Sequence, residues 1–306
     1  MARDGHTPTV LREQRILVCG GSGTLASAFV DAARDSGATI ALLDLPSVAD
    51  IRETDSRDTD TRDTGDRNDR SGAPFRVAAD VTKIDELEHA FSAVRDHLGG
   101  IDTVVNFAGV HHRPYELHTD DPASLITDFR RVIEVNLVGA FAVTVVAARL
   151  MVPLRRGHIV HLCSNGSRAA LYGSYAYNAS KHGVEGIVRT AAAQLAPYGV
   201  RVNGIAPGTV VTDLNRSLLY DDTGEIRSRA RSILSHTPTK RFATPEGVAE
   251  SIVALCIPQR HLTGNVVFAD DGYNIEGHTW PEGNEALYRG TAALDTLLQQ
   301  RGGQQE

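Results

Sequence analysis

The sequence predicts an α/β protein, a doubly wound parallel sheet of about seven strands with helices on both faces. Three observations lead there. Short apolar runs recur along the chain: "RILVCGG", "ATIALLDL", "FRVAADV", "IDTVVNFAG", "GHIVHLCS", "VRVNGIAPG" and "GNVVFADDG". They lack the in-out alternation of a half-exposed sheet, as strands covered on both faces do. Helical patterns such as "KIDELEHAFSAVRDHLG" and "EGIVRTAAAQLAPYG" fill the intervals, and parallel strands need such crossovers. Finally, the composition is ordinary for a globular chain, 42% hydrophobic and 23% charged over 306 residues. No break splits it, so residues 1–306 read as a single domain.

The first strand ends in glycines, and the helix "TLASAFVDAARDSG" behind it is closed by another. Between them lies "VCGGSGTLASA", residues 18–28. In a doubly wound sheet this first turn is where a dinucleotide pyrophosphate meets a helix N-terminus, and glycines let backbone N–H groups approach it. Gly20, Ser22, Gly23, Thr24 and Leu25 are the candidate contacts, although a ligand-free turn fits the same pattern. The second strand ends at Asp44, 24 residues after Gly20. A carboxylate there hydrogen-bonds the adenine ribose and repels a 2′-phosphate, which favours NAD over NADP; an Asp also closes turns. Residues 52–73, nearly all Arg, Asp, Thr, Ser and Gly, read as a solvated insertion before the third strand. Residues 275–306 form a C-terminal extension with the only Trp and a short amphipathic helix.

"SYAYNASKHG", residues 174–183, holds Tyr177 and Lys181 four apart, on one face of a helix. A phenol titrates near pH ~10 and is a poor acid or base at neutrality. A neighbouring ammonium favours the phenolate. The pair is a candidate proton-transfer device, and the same spacing also arises by chance.

Charge and composition exclude several classes. The net charge of −7 argues against nucleic acid, whose phosphates need a basic face. No apolar run reaches the roughly 18 residues of a membrane helix, and the N-terminus lacks the apolar core of a signal peptide. Cys19, Cys163 and Cys256 are scattered, which predicts buried small side chains in a reducing cytoplasm rather than a disulfide or zinc framework.

With these pieces placed, residues 15–273 resemble the short-chain dehydrogenase/reductase family, the 52–73 insertion aside. Asp80 and Val81 match its adenine-contact pair. "NFAG" (Asn106, Phe107, Ala108, Gly109) resembles its N-N-A-G turn, and "VNLVGAF" carries Asn136 at the place of its helix asparagine. Ser164 stands thirteen residues before Tyr177, the family interval. "PGTVVT", with Pro207, Gly208, Val210 and Thr212, matches its nicotinamide loop. The resemblance implies a Rossmann-type sheet in the order 3-2-1-4-5-6-7. It also implies roles. Tyr177 is the general acid/base, and Lys181 lowers the phenol pKa and holds the nicotinamide ribose. Ser164 hydrogen-bonds the substrate oxygen, and Asn136 holds backbone and a relay water. Hydride transfer to a carbonyl builds charge on oxygen, which such donors stabilise. The family's helix pair, here 123–153 and 178–197, further implies a homodimer or homotetramer.

Departures accompany the match. Thr24 and Ala26 occupy places usual for glycine, and a β-branched Thr24 is expected to crowd the pyrophosphate unless the loop is re-shaped. Phe107 and Cys19 replace residues that bond locally. The "VHHRPYELH" stretch should cross the site mouth, offering His111, His112, Arg113 and Tyr115; Asn165 and Tyr172 follow the serine. These polar groups suit a hydroxylated small molecule such as a sugar or polyol, and the histidines lack the acidic or thiol partners of a metal site. Residues 214–236 occupy the family's substrate-lid position. The expected function is NAD(H)-dependent interconversion of a secondary alcohol and a ketone. The rivals are a binding protein with a degraded glycine loop and a non-redox dehydratase or epimerase of the same fold.

Overall fold

The structure, a computed structural model, describes residues 10–46, 73–212, 215–259 and 261–275. The expected insertion therefore falls outside the described residues except for Ala73, and the C-terminal extension does so beyond Ile275. Strands β1 (Arg15–Cys19), β2 (Thr39–Asp44), β3 (Phe75–Ala78), β4 (Thr103–Asn106), β5 (Gly157–Leu162), β6 (Val200–Pro207) and β7 (Val266–Ala269) form the sheet. All pair in parallel, in the order β3-β2-β1-β4-β5-β6-β7, as the resemblance implied. The winding reverses between β1 and β4. Beyond the carboxyl ends of these strands a crevice opens, the usual ligand position of such sheets.

The helices are α1 (Thr24–Asp35), α2 (Ile84–Leu98), α3 (Pro122–Ile133), α4 (Gly139–Met151), α5 (Tyr175–Leu195), α6 (Arg216–Leu219), α7 (Ser228–His236) and α8 (Pro245–Cys256). Each strand sends alternate residues to opposite faces. From β1, Leu17 and Cys19 join a core with α2, α4 and α5, while Ile16 and Val18 join a second core with α1 and α8. Both faces are covered, which is why the strands read as unbroken apolar runs. The three cysteines lie in these cores as free thiols, and burial pushes the Cys163 and Cys256 thiols up to about 12.

One expectation about apolar runs needs correction. The helical run Pro122–Met151 is long and apolar enough, by length and composition, to cross a membrane. Glu134, Asn136 and Arg149 interrupt its sequence and hid that length. Here it lies along the sheet, with Val143, Ala147 and Met151 in the core. Its outer side leaves Ile126, Phe129, Val138 and Phe141 exposed.

Candidate active site

The first glycine loop shapes the crevice at the reversal point. Gly20 has a left-handed φ of 74°, and a Cβ there would stand 2.7 Å from the Ala108 amide nitrogen. Only glycine lets the β1 and β4 turns approach this closely. Gly23 is the N-cap of α1 and makes no side-chain cap. A Cβ placed on it would meet nothing within 4 Å. This open helix N-terminus fits a pyrophosphate. Thr24 is the first residue of α1 and exposed, so the glycine stands one residue earlier and the helix starts at the threonine. Ala26 is buried against the sheet. Asp44, at the end of β2, accepts from the Ser22 hydroxyl (2.7 Å) and amide (3.3 Å), which ties the loop to the carboxylate. After β3, the Asp80 carboxylate accepts from the Thr82 amide and hydroxyl at 2.9 Å each, closing a turn. Val81 is buried beside Gly139, where a Cβ would come within 2.8 Å of its side chain.

Between α3 and α4 the backbone makes a π turn, Glu134–Val138, with the Gly139 amide donating to the Glu134 carbonyl. Such turns occur where a helix must re-aim a side chain. Here it carries Asn136, 1% exposed. Its Oδ1 accepts from the Val110 amide (2.7 Å); its Nδ2 donates to the Val110 carbonyl (3.0 Å) and the Ser180 hydroxyl (3.1 Å). Ser180 donates onward to the Tyr177 carbonyl at 2.7 Å. Asn136 thus clamps the chain after β4 to α5. A Cβ on Gly109 would stand 3.3 Å from Asn136 Oδ1 and 3.8 Å from Lys181 Nζ, so these residues converge.

Lys181, buried, donates to the Leu162 carbonyl at 2.7 Å, and its Nζ lies 5.6 Å from the Tyr177 ring centre. Ser164, two residues after Leu162, accepts from the Gly166 amide (3.1 Å) and donates to Asn165 Oδ1 (3.2 Å). The Asn165 Nδ2 is buried without a hydrogen-bond partner. The His111 ring faces Tyr177 at 4.5 Å between centres, and its Nδ1 donates to the His112 carbonyl at 2.6 Å. Burial pulls the His111 imidazole below its ordinary value; that bond opposes the shift, and the charges of Arg229 and Lys181 assist it. His112 is turned inward, with Nδ1 donating to the Arg113 carbonyl (2.6 Å) and Nε2 accepting from the Tyr177 amide (3.4 Å). Tyr115 is buried against His112, and Arg113 pairs outward with Asp120. Tyr172 is 70% exposed and donates to Glu116 at 2.6 Å. Tyr175 is 47% exposed.

On the other side of the crevice, Pro207 ends β6 and Gly208 lies against the chain after β7, where a Cβ would come within 2.8 Å of the Asp270 Cα. Asn215 orders the rest of this loop, accepting from the Thr212 amide (2.9 Å) and donating to the Val210 carbonyl (2.8 Å). Asn274 donates to the Asn165 carbonyl at 3.3 Å and so joins this wall to the serine loop.

Beneath the site, sequence reasoning missed His161, which was read only as part of an apolar strand. Its ring is fully buried between Thr144 Oγ1 (2.8 Å from Nε2) and Asn106 Nδ2 (3.4 Å from Nδ1). The Thr144 proton goes to the Ala140 carbonyl, so Nε2 donates and Nδ1 accepts. Burial, helped by Lys181, pushes His161 down to about 4. An unfolded imidazole titrates near ~6.5, so the unfolded chain binds the extra proton first as pH falls. This contribution to stability is therefore present above pH ~6.5 and lost between there and pH ~4, about 3 kcal/mol in all. Urea midpoints measured across that range should fall, and His161→Gln should flatten the fall; an unchanged slope would refute the assignment.

Comparison with known proteins defines the class. A family model described as enoyl-(acyl carrier protein) reductase matches residues 22–274. Carbonyl reductase family member 4 of Xenopus tropicalis is 31% identical over 67% of this chain and 80% of its own length. The 2-(S)-hydroxypropyl-CoM dehydrogenase 3 of Xanthobacter autotrophicus is 30% identical over 86% of this chain and 96% of its own. Among solved structures, a putative gluconate dehydrogenase from Agrobacterium tumefaciens superposes with a TM-score of 0.71 at 27% identity, covering 88% of this chain and 98% of that one. The fold and these matches define an oxidoreductase on a Rossmann-type sheet. The chain belongs to the short-chain dehydrogenase/reductase family.

Proposed function

We propose that the protein is an NAD(H)-dependent oxidoreductase that interconverts a secondary alcohol and its ketone. The convergence of Asn136, Lys181 and Tyr177 beside an open helix N-terminus carries this reading. The nicotinamide, when bound, supplies or accepts the hydride. Gly20, Ser22, Gly23, Thr24 and Leu25 would hold the pyrophosphate, Asp44 the adenine ribose, and Asp80 and Val81 the adenine. Asn106, Ala108, Gly109 and the Pro207–Thr212 loop would frame the nicotinamide half. In reduction, Tyr177 gives its proton to the substrate oxygen, and the Lys181 ammonium stabilises the phenolate left behind. The Ser164 hydroxyl turns from Asn165 to that same oxygen. Ser180 binds the Tyr177 carbonyl, and Asn136 ties Ser180 to the Val110 chain.

A calorimetric titration of NADH against NADPH is the direct test of the cofactor. Tight NADH binding with weak NADPH binding is expected, and Asp44→Ala should move the ratio toward NADPH by about tenfold or more by removing a like charge. Binding of neither cofactor would sink the reading. Turnover of an alcohol without net NAD reduction would point instead to a non-redox reaction.

The reading includes a homo-oligomer joined through the α3–α5 side. Ile126, Phe129, Val138 and Phe141 supply an apolar outer face there, with Phe141 56% exposed. Phe141→Asp should convert the oligomer to monomer on a sizing column while leaving the core intact. An unchanged elution volume would place the interface elsewhere.

A further inference from the structure

We propose that the substrate carries a carboxylate, or a similar oxyanion, and that Arg229 of α7 receives it. The inference rests on the redox reading above and adds the substrate's charge. Arg229 lies on α7, in the segment that the family resemblance makes the substrate lid. Its Nη1 donates to the Tyr172 carbonyl at 3.2 Å and its Nη2 to the Ser174 hydroxyl at 3.4 Å. Ser174 immediately precedes α5, the helix of Tyr177 and Lys181. The guanidinium is therefore held at the rim of the candidate catalytic pair.

Three features make it a receptor rather than a packing residue. Among the described residues no carboxylate pairs with it, while its half-buried setting removes water from the charge. A cation kept half-buried without a counter-ion is costly unless a ligand supplies one. Electrostatically it is coupled to His111, which also feels Lys181, and to Tyr273. Glu116 accepts from the Tyr172 hydroxyl and, among the described residues, forms no ion pair with Arg229. Finally, Asn165, 4% exposed and next to Ser164, has an Nδ2 with no partner. A guanidinium fork retains N–H donors after two weak protein bonds and matches a planar carboxylate. The Asn165 amide lies beside Ser164, on the side of the site where the reacting oxygen is expected.

The bland alternative is that Arg229 only latches the covering segment to the 172–174 loop. Substrate pairs that differ only in charge separate the two. Wild-type protein would be assayed for NAD reduction with 3-hydroxybutyrate, 4-hydroxypentanoate and gluconate, each against its neutral amide. In parallel, 4-oxopentanoate and its amide would be titrated calorimetrically into the NAD+-supplemented protein, a combination with no hydride to transfer, which reads binding without turnover. For at least one pair the acid should exceed the amide about 30-fold in kcat/KM, the equivalent of about 2 kcal/mol. Arg229→Gln should bring that ratio close to one, and Arg229→Lys, which keeps the charge, should leave part of it. A latch alone would lower both members of each pair equally, and that result, or an amide preference in the wild type, overturns the proposal. If no alcohol reduces NAD, the redox reading fails separately. The proposal then stands or falls on whether 4-oxopentanoate binds better than its amide, and whether Arg229→Gln abolishes the difference.

Discussion

Tyr177→Phe should lower kcat with NAD and a secondary alcohol by about 10²- to 10⁴-fold, the usual worth of a positioned acid or base. The substitution deletes one hydroxyl and little else. The ring retains its contact with His111 at 4.5 Å and its place beneath Lys181. Its backbone carbonyl still accepts from Ser180, and its amide still meets His112. Fold and NADH affinity should therefore stay within a few-fold of the wild type, which isolates the proton transfer. Ser164 remains to polarise the oxygen, so a residual rate is expected. The measurement is steady-state turnover paired with NADH titration of the same preparation. Retained turnover would remove Tyr177 from the chemistry; lost NADH binding would show that the hydroxyl serves the cofactor site instead.

The sheet was legible because its strands are buried on both sides, and burial on both sides leaves a plain sequence mark. The runs from "RILVCGG" to "GNVVFADDG" become β1 to β7 in the expected order. The loop at residues 18–28 was legible as a turn between strand and helix. Its detailed shape was not. Counting glycines set Thr24 at a usual glycine place; in the structure Gly23 caps the helix and Thr24 is its exposed first residue. A glycine's role depends on which side the neighbouring turn approaches, and that side is set by β4, far away in sequence.

The helical spacing of Tyr177 and Lys181 was visible for a local reason: both ride on α5. Links made only through tertiary packing were not visible. Ser180 as the link to Asn136, His161 under the site and Arg229 at its rim all depend on tertiary packing. The histidine pair shows the limit well. His111 and His112 are adjacent, and both were read as site-lining; only His111 faces Tyr177, while His112 satisfies the start of α5. A loop has no fixed period that assigns neighbouring side chains to faces, so the sequence offered no means of separating them.

Asn136→Leu should be the most destabilising of the site substitutions. Leucine is close in size and shape, so the loss is of hydrogen bonds and not of volume. The half-buried Val110 amide and carbonyl each lose their side-chain partner, as does Ser180. An unsatisfied buried backbone group costs about 1–3 kcal/mol, and half-buried groups recover part of that from water, so a total loss of about 1–3 kcal/mol is expected in urea unfolding. Loss of fold alone would reduce activity only through the folded fraction. If Asn136 also fixes the Gly109–Val110 chain beside Lys181, kcat should remain depressed at low temperature, where the variant is fully folded. Asn136→Asp sharpens the comparison. It keeps an acceptor for the Val110 amide but sets a carboxylate against the Val110 carbonyl, near Lys181. Recovery of kcat to wild type in folded Asn136→Leu would reduce this residue to a structural clamp. Persistent loss in both variants would mean that the π turn exists to hold the proton-transfer pair in register with the cofactor side of the crevice.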